Sequence, residues 1–118
     1  MSTTSLQPLP SQDFFESLLV RPSNIESTLP QKATPLVIVY FTASWCGACK
    51  RLDIPSLMSV RPDAQWYKCD VDENQYTAGY CGVTTIPAFQ AISYGRALDL
   101  FSNSQTARVA HWLAALPR

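Results

Sequence analysis

The chain has 118 residues, 47% of them apolar, with nine basic and nine acidic side chains and a formal net charge of zero. That length suits one compact domain with its own core, and the composition is too apolar for a disordered segment. The balanced charge, with no basic patch, argues against nucleic acid as a partner, and the longest apolar run is far too short to span a bilayer.

The N-terminus, Met1-Ser2-Thr3-Thr4-Ser5-Leu6-Gln7-Pro8, has neither a basic n-region nor an apolar h-region, so no secretory signal is expected. Residues 6–10 read as a short edge strand, because Pro8 and Pro10 cannot donate within a sheet. Ser11 is placed to cap a helix reaching about Val20 that buries Phe14, Phe15, Leu18 and Leu19, with Pro22 as its stop. Ser23-x-x-Glu26 has the form of a capping box for one more helical turn before Pro30. After Pro35, residues 36–42 are apolar on both faces, as a central strand covered on both sides should be. A helix is expected from Cys46 to about Val60, kinked at Pro55. Residues 66–71 read as a second parallel strand, and residues 72–80 as a short helix or turns, broken by Gly79 and Gly82. Residues 88–92 and 97–101 flank Ser93-Tyr94-Gly95-Arg96, a hairpin signal. The last helix runs over about residues 105–116, with Val109, Trp112, Leu113 and Leu116 on one face. The order β-α-β-α-β-α-β-β-α predicts an α/β protein: a mixed five-stranded sheet flanked by four helices.

The segment richest in chemistry is Trp45-Cys46-Gly47-Ala48-Cys49-Lys50, directly after the apolar strand. A C-x-x-C at a helix start, following a buried strand, reads as a redox motif. Free N–H groups and the positive helix end favour the thiolate there, and the thiolate is the reactive form. A stabilising disulfide and half of a zinc site are the competing readings, but Cys69 and Cys81 lack the paired C-x-x-C spacing of zinc sites. His111 is the only histidine and sits beside Trp112 in the last helix, so a cysteine–histidine protease has no pair to use. No glycine-rich nucleotide loop is present, so no cofactor or metal is expected beyond a redox-active Cys46–Cys49 disulfide.

Four features together make the chain similar to the thioredoxin family. They are the Trp45–Lys50 motif after a central strand, Thr85-Ile86-Pro87 before a hairpin strand, Lys68 with Asp70 and Asp72 in and after the next parallel strand, and Gly82 five residues before Pro87. The resemblance covers nearly the whole chain, read as a single domain of residues 1–118. It implies the thioredoxin fold and a protein-disulfide reductase with Cys46 as nucleophile and Cys49 as resolving thiol. It also implies a substrate surface made by Trp45, Gly47, Ala48, Ile86 and Pro87, with a cis Ile86–Pro87 bond that lets Ile86 offer its backbone to an extended substrate. The partners it implies are protein disulfides and a dithiol donor such as thioredoxin reductase, in electron transport and cell redox homeostasis; without a secretory signal, the reducing cytoplasm is the expected compartment. A binding module on the same fold, or an oxidase or isomerase with a more oxidising couple, are the alternatives.

Several positions depart from the family pattern. Tyr40 stands six residues before Cys46, where the family usually has a buried aspartate, and tyrosine is a poor base at neutral pH. Asp53, four residues after Cys49 on the same helical face, is the candidate replacement, with Lys68 as its ion-pair partner. Ala48 replaces the usual proline, which frees an N–H for the Cys46 sulfur and predicts a lower thiolate pKa and a more oxidising couple. Asn103 stands in a loop where many relatives carry glycine, and is expected in the left-handed region. Cys69 reads as a buried, inert thiol and Cys81 as a thiol near the Ile86–Pro87 rim, open to modification.

Overall fold

The computed structural model describes residues 6–19 and 35–117. The first helix, expected to reach about Val20, ends at Ser17 with Leu18 as its C-cap. The expected stop at Pro22 and the capping box at Ser23 and Glu26 lie outside the described residues. The elements in chain order are β1 (Leu6–Pro8), α1 (Gln12–Ser17), β2 (Leu36–Thr42), α2 (Gly47–Lys50), α3 (Ile54–Val60), β3 (Gln65–Asp70), α4 (Gln75–Cys81), β4 (Ala88–Ser93), β5 (Arg96–Ala97), β6 (Phe101–Ser102) and α5 (Thr106–Ala115).

The sheet runs β1-β3-β2-β4-β5, with β6 also paired to β4. β1, β3 and β2 are mutually parallel, and β4 lies antiparallel to β2. This is the expected mixed sheet with its fifth strand in two pieces: β5 pairs with Ile92 and Ser93, and β6 with Ala88 and Phe89. A two-residue turn joins β4 to β5, with φ of 51° at Tyr94 and 82° at Gly95. Positive φ at both central residues matches the right-handed twist of the strands, and glycine adopts it without steric cost.

Strand parity decides what each side chain meets. Leu36, Ile38 and Tyr40 of β2 and Trp66 of β3 share one core with Cys49, Leu57, Val109 and Leu113, under α2, α3 and α5. Val37, Val39 and Phe41, with Cys69, face a second core closed by Phe15 of α1 and Ala78 of α4. Both faces of β2 are thus covered, which is why all seven of its residues are buried.

The long kinked helix expected over residues 46–60 is instead two helices. Asp53 caps α3, its carboxylate accepting from the Ser56 N–H at 3.2 Å and the Ser56 hydroxyl at 2.7 Å. Pro55 then falls in the first turn of α3, where the N–H it lacks has no intrahelical partner to lose. Gly79 does not break α4; Gly82, at φ 76°, ends it as a left-handed cap. Asn103 does not take the left-handed region, since Tyr94 is the one non-glycine residue with positive φ among those described. Its side chain turns the loop instead, accepting the Gln105 N–H at 2.8 Å.

Candidate active site

β2 ends at Thr42, and three residues later the chain presents the cysteine motif. Cys46 is the N-cap of α2, and its sulfur accepts the Cys49 N–H at 3.1 Å. The two cysteines are joined as a disulfide, with Cα atoms 5.3 Å apart. Because α2 spans only Gly47–Lys50, the direct N–H bond to sulfur, rather than the dipole of a long helix, is what favours a thiolate at Cys46. The donor is the Cys49 amide and not the Ala48 amide expected from the missing proline. Cys46 is only 4% exposed in this disulfide form, and the Ile86 carbonyl oxygen lies 3.9 Å from its sulfur.

Around the pair, Gly47 is exposed and Ala48 half-buried. A methyl group built on Gly47 would meet nothing within 4 Å, so no internal contact requires the glycine. The Ile86–Pro87 peptide bond is cis; Ile86 is half-buried and Pro87 buried. Trp45 is 66% exposed. Its indole N–H donates to the Asp72 carboxylate at 2.8 Å, which holds the ring at one side of a groove of about 330 Å³ lined by Ala78, Val83, Thr84, Thr85 and Ile86. A tethered aromatic beside an apolar groove and a backbone carbonyl suits an extended polypeptide next to the disulfide.

On the other side of Cys49 the arrangement differs from expectation. Asp53 is exposed and engaged as a helix cap, and no hydrogen bond or ion pair joins it to Cys49 or Lys68 among the described residues. Its two bonds from Ser56 hold its carboxyl below the ordinary 3.8, which also makes it a weaker base. Lys68 is instead brought to Cys49 through a second cavity, also of about 330 Å³, that Tyr40 and Asp70 line as well. Tyr40 is buried, its ring stacked on Phe89 at 5.2 Å and 18°. Its hydroxyl points at the Cys49 carbonyl oxygen across 3.5 Å, a long contact. Burial pushes the phenol above its ordinary 10.0, with a bond to Thr42 partly opposing, so at neutral pH Tyr40 is a donor and not a base.

Sequence reasoning assigned no role to two residues that the structure brings to the site. Asp72 is the tether of Trp45. Asp70 lines the Cys49 cavity, and its signal was available: it stands two residues after Lys68 in one strand, hence on the same face. Of the remaining thiols, Cys69 lies in the second core and Cys81, half-buried, packs against it. Burial pushes Cys69 up to about 11, helped by the Asp70 charge, and Cys81 up to about 12, helped by Cys69 beside it.

The thioredoxin family model matches residues 16–115. The chain belongs to the thioredoxin family. It is 30% identical over 96 residues to the thioredoxin of Gallus gallus, covering 80% of this chain and 91% of that one. Against the thioredoxin of Geodia cydonium it is 36% identical over 80 residues, 65% of this chain and 74% of the other. Among solved structures, the oxidised form of mitochondrial thioredoxin 3 from Saccharomyces cerevisiae superposes with a TM-score of 0.77 at 25% identity, covering 94% of this chain and 95% of that one. Fasciola hepatica thioredoxin gives 0.71 at 26% identity, covering 92% and 96%. Membership, with the Cys46–Cys49 disulfide in place, makes the chain a thiol–disulfide oxidoreductase of the protein-disulfide reductase type. Its redox group is its own disulfide. No group of three or more His, Cys, Asp or Glu among the described residues is placed to hold a metal ion. No described helix is long and apolar enough to cross a membrane.

Proposed function

We propose that residues 1–118 work as one domain that reduces protein disulfides in the cytoplasm, with Cys46 as nucleophile and Cys49 as resolving thiol. The observation that carries this reading is the Cys46 sulfur, which receives the Cys49 N–H and sits 3.9 Å from the Ile86 carbonyl at the groove. In the reduced protein, Cys46 thiolate attacks one sulfur of a substrate disulfide and the other leaves as a thiolate. Cys49 then attacks the mixed disulfide, the Cys46–Cys49 bond forms, and the substrate leaves reduced. Trp45, Gly47, Ala48, Ile86 and Pro87 form the surface on which the substrate backbone lies. The chain's disulfide is returned to the dithiol by a donor of the thioredoxin reductase kind, which places it in electron transport and cell redox homeostasis. Lys68 acts on Cys49 from the second cavity, and Asp53 serves the site indirectly by starting α3.

Two measurements test this. Reduction of insulin by dithiothreitol should be accelerated by the wild type and not by Cys46→Ser; equal acceleration would end the proposal. The potential of the couple in a glutathione or dithiothreitol series should lie near about −270 mV, whereas about −120 to −180 mV would assign the chain to oxidation or isomerisation.

A further inference from the structure

We infer that Asp70 is the group that takes the proton from Cys49 when Cys49 attacks the mixed disulfide, through water in the cavity that the two residues share. The inference rests on the oxidoreductase reading above and supplies the base that this reading lacks. Cys49 is buried, and a thiol must lose its proton to become a nucleophile. Register places the polar groups beneath it. Tyr40 of β2 is the partner of Lys68 on β3, and Thr42 is the partner of Asp70. Residues 40 and 42, and 68 and 70, each differ by two, so all four project from the face on which α2 packs.

The titratable groups around this cavity are Tyr40 from β2, Cys49 and Lys50 from α2, and Lys68 and Asp70 from β3. Protonated lysines donate and cannot accept. Tyr40 is neutral and a donor, and Asp53 is engaged elsewhere. Asp70 is the carboxylate among them. A space of about 330 Å³ holds several water molecules, and Thr42, Lys68 and Asp70 give them polar partners. Lys50 and Lys68 are exposed, so the cavity communicates with solvent and the proton can leave. The balance is complete. The Cys49 proton passes to Asp70 and on to solvent or to the departing substrate thiolate, the Cys46–substrate bond breaks, and the Cys46–Cys49 bond forms. Cys49 is oxidised and the substrate sulfur reduced.

The test uses the full reduced chain and 5,5′-dithiobis(2-nitrobenzoate) in a stopped-flow instrument. The first release of coloured thiolate reports attack by Cys46, and the second reports resolution by Cys49. The leaving group departs as a thiolate and needs no proton, so the second phase isolates proton removal from Cys49. Asp70→Asn keeps an oxygen for the Asp72 N–H, which Asp70 Oδ1 holds at 2.9 Å. Asp70→Ser is a second neutral variant should the first not fold. Either should slow the second phase by about tenfold or more at pH 7, within the span of general base catalysis, and converge with wild type at high pH, where hydroxide replaces the base. Asp70→Glu should restore part of the loss at pH 7. A second phase superposable on wild type at every pH would overturn the inference, as would a slowing of the same size at all pH values, which marks a structural role. A wild type that gives no second release would overturn the oxidoreductase reading itself.

Discussion

The two thiols outside the motif give the most quantitative prediction. Burial holds Cys69 at about 11 and Cys81 at about 12, against an ordinary 9.0 for both. At pH 7.5 these two and three pKa units cut the thiolate fraction about 100-fold and about 1000-fold relative to an unperturbed thiol. In the reduced protein, iodoacetamide should therefore label Cys46 first and leave Cys69 and Cys81 untouched on the same timescale, as read by peptide mass. In guanidinium chloride all four should label. The same shifts make stability fall in alkali. A thiol whose folded pKa is raised keeps its proton in the folded chain while the unfolded chain loses it. Its contribution is therefore complete below about pH 9 and is lost as pH rises toward 11. For Cys69, which is 1% exposed, the whole shift is worth about 2.7 kcal/mol, and about 2 kcal/mol of it is gone by pH 10.5.

Tyr40, raised above 10.0, loses stability in the same direction, so the comparison must isolate the thiol. Urea unfolding of the disulfide form at pH 8 and pH 10.5, for wild type and Cys69→Ala, does this. The wild type should lose about 2 kcal/mol more than the variant over that interval. Equal losses would refute the burial argument for Cys69, and Cys81 labelling as fast as Cys46 in the native protein would refute it for Cys81.

Gly47→Ala should fold with a melting temperature equal to or above wild type, since a Cβ there meets open space and φ is not positive. Insulin reduction should nonetheless fall if substrate backbone lies over this position, and a drop in melting temperature would show an internal role. Ala48→Pro should move the reduction potential by less than about 30 mV, a tenfold change in equilibrium at most about 1.4 kcal/mol, because the amide on the Cys46 sulfur belongs to Cys49. A larger shift would mean that the Ala48 N–H matters in the reduced state. Asp53→Ala should melt below wild type at neutral pH, through loss of the α3 cap. With its folded carboxyl held below 3.8, that difference is present above this value and should shrink as pH falls through the lower range; a gap independent of pH would refute the capping argument.

Local chemistry accounts for most of what the sequence made legible. The six apolar residues that open β2 can only be a strand covered twice, and Tyr94-Gly95 can only turn tightly. Gly82 ends α4 because no other residue type adopts φ 76° so readily. The readings that changed all depended on competition between partners. On a continuous helix Asp53 would have faced Cys49. It has a nearer use, two bonds to Ser56, and making them stops α2 and starts α3. Pro55 points the same way, because proline is better placed in a first turn than in a helix middle. A kink and a restart share the same sequence signal, and only the serine three residues on distinguishes them. The bond of the Trp45 indole N–H to Asp72, 27 residues away, is likewise a choice of partner that no local pattern announces.

The replacement at residue 40 links these observations. A carboxylate at that register position would lie under α2, in the core that holds Cys49. The phenol that stands there fills the space instead, stacks on Phe89, and stays neutral because burial opposes its charge. A proton leaving Cys49 must then go further along the same face. The neighbouring rung of the ladder, Thr42 beside Asp70, is the next polar position, and Lys68 stands between it and the core. Moving the acceptor outward by one rung exchanges a buried carboxylate, which costs desolvation, for a half-buried one in contact with water. On this view the neutral phenol at residue 40 and the half-buried carboxylate at residue 70, on the cavity that reaches Cys49, are two sides of one arrangement. Reintroducing a carboxylate by Tyr40→Asp should therefore lift the dependence of Cys49 on Asp70, while removing the ring that packs on Phe89.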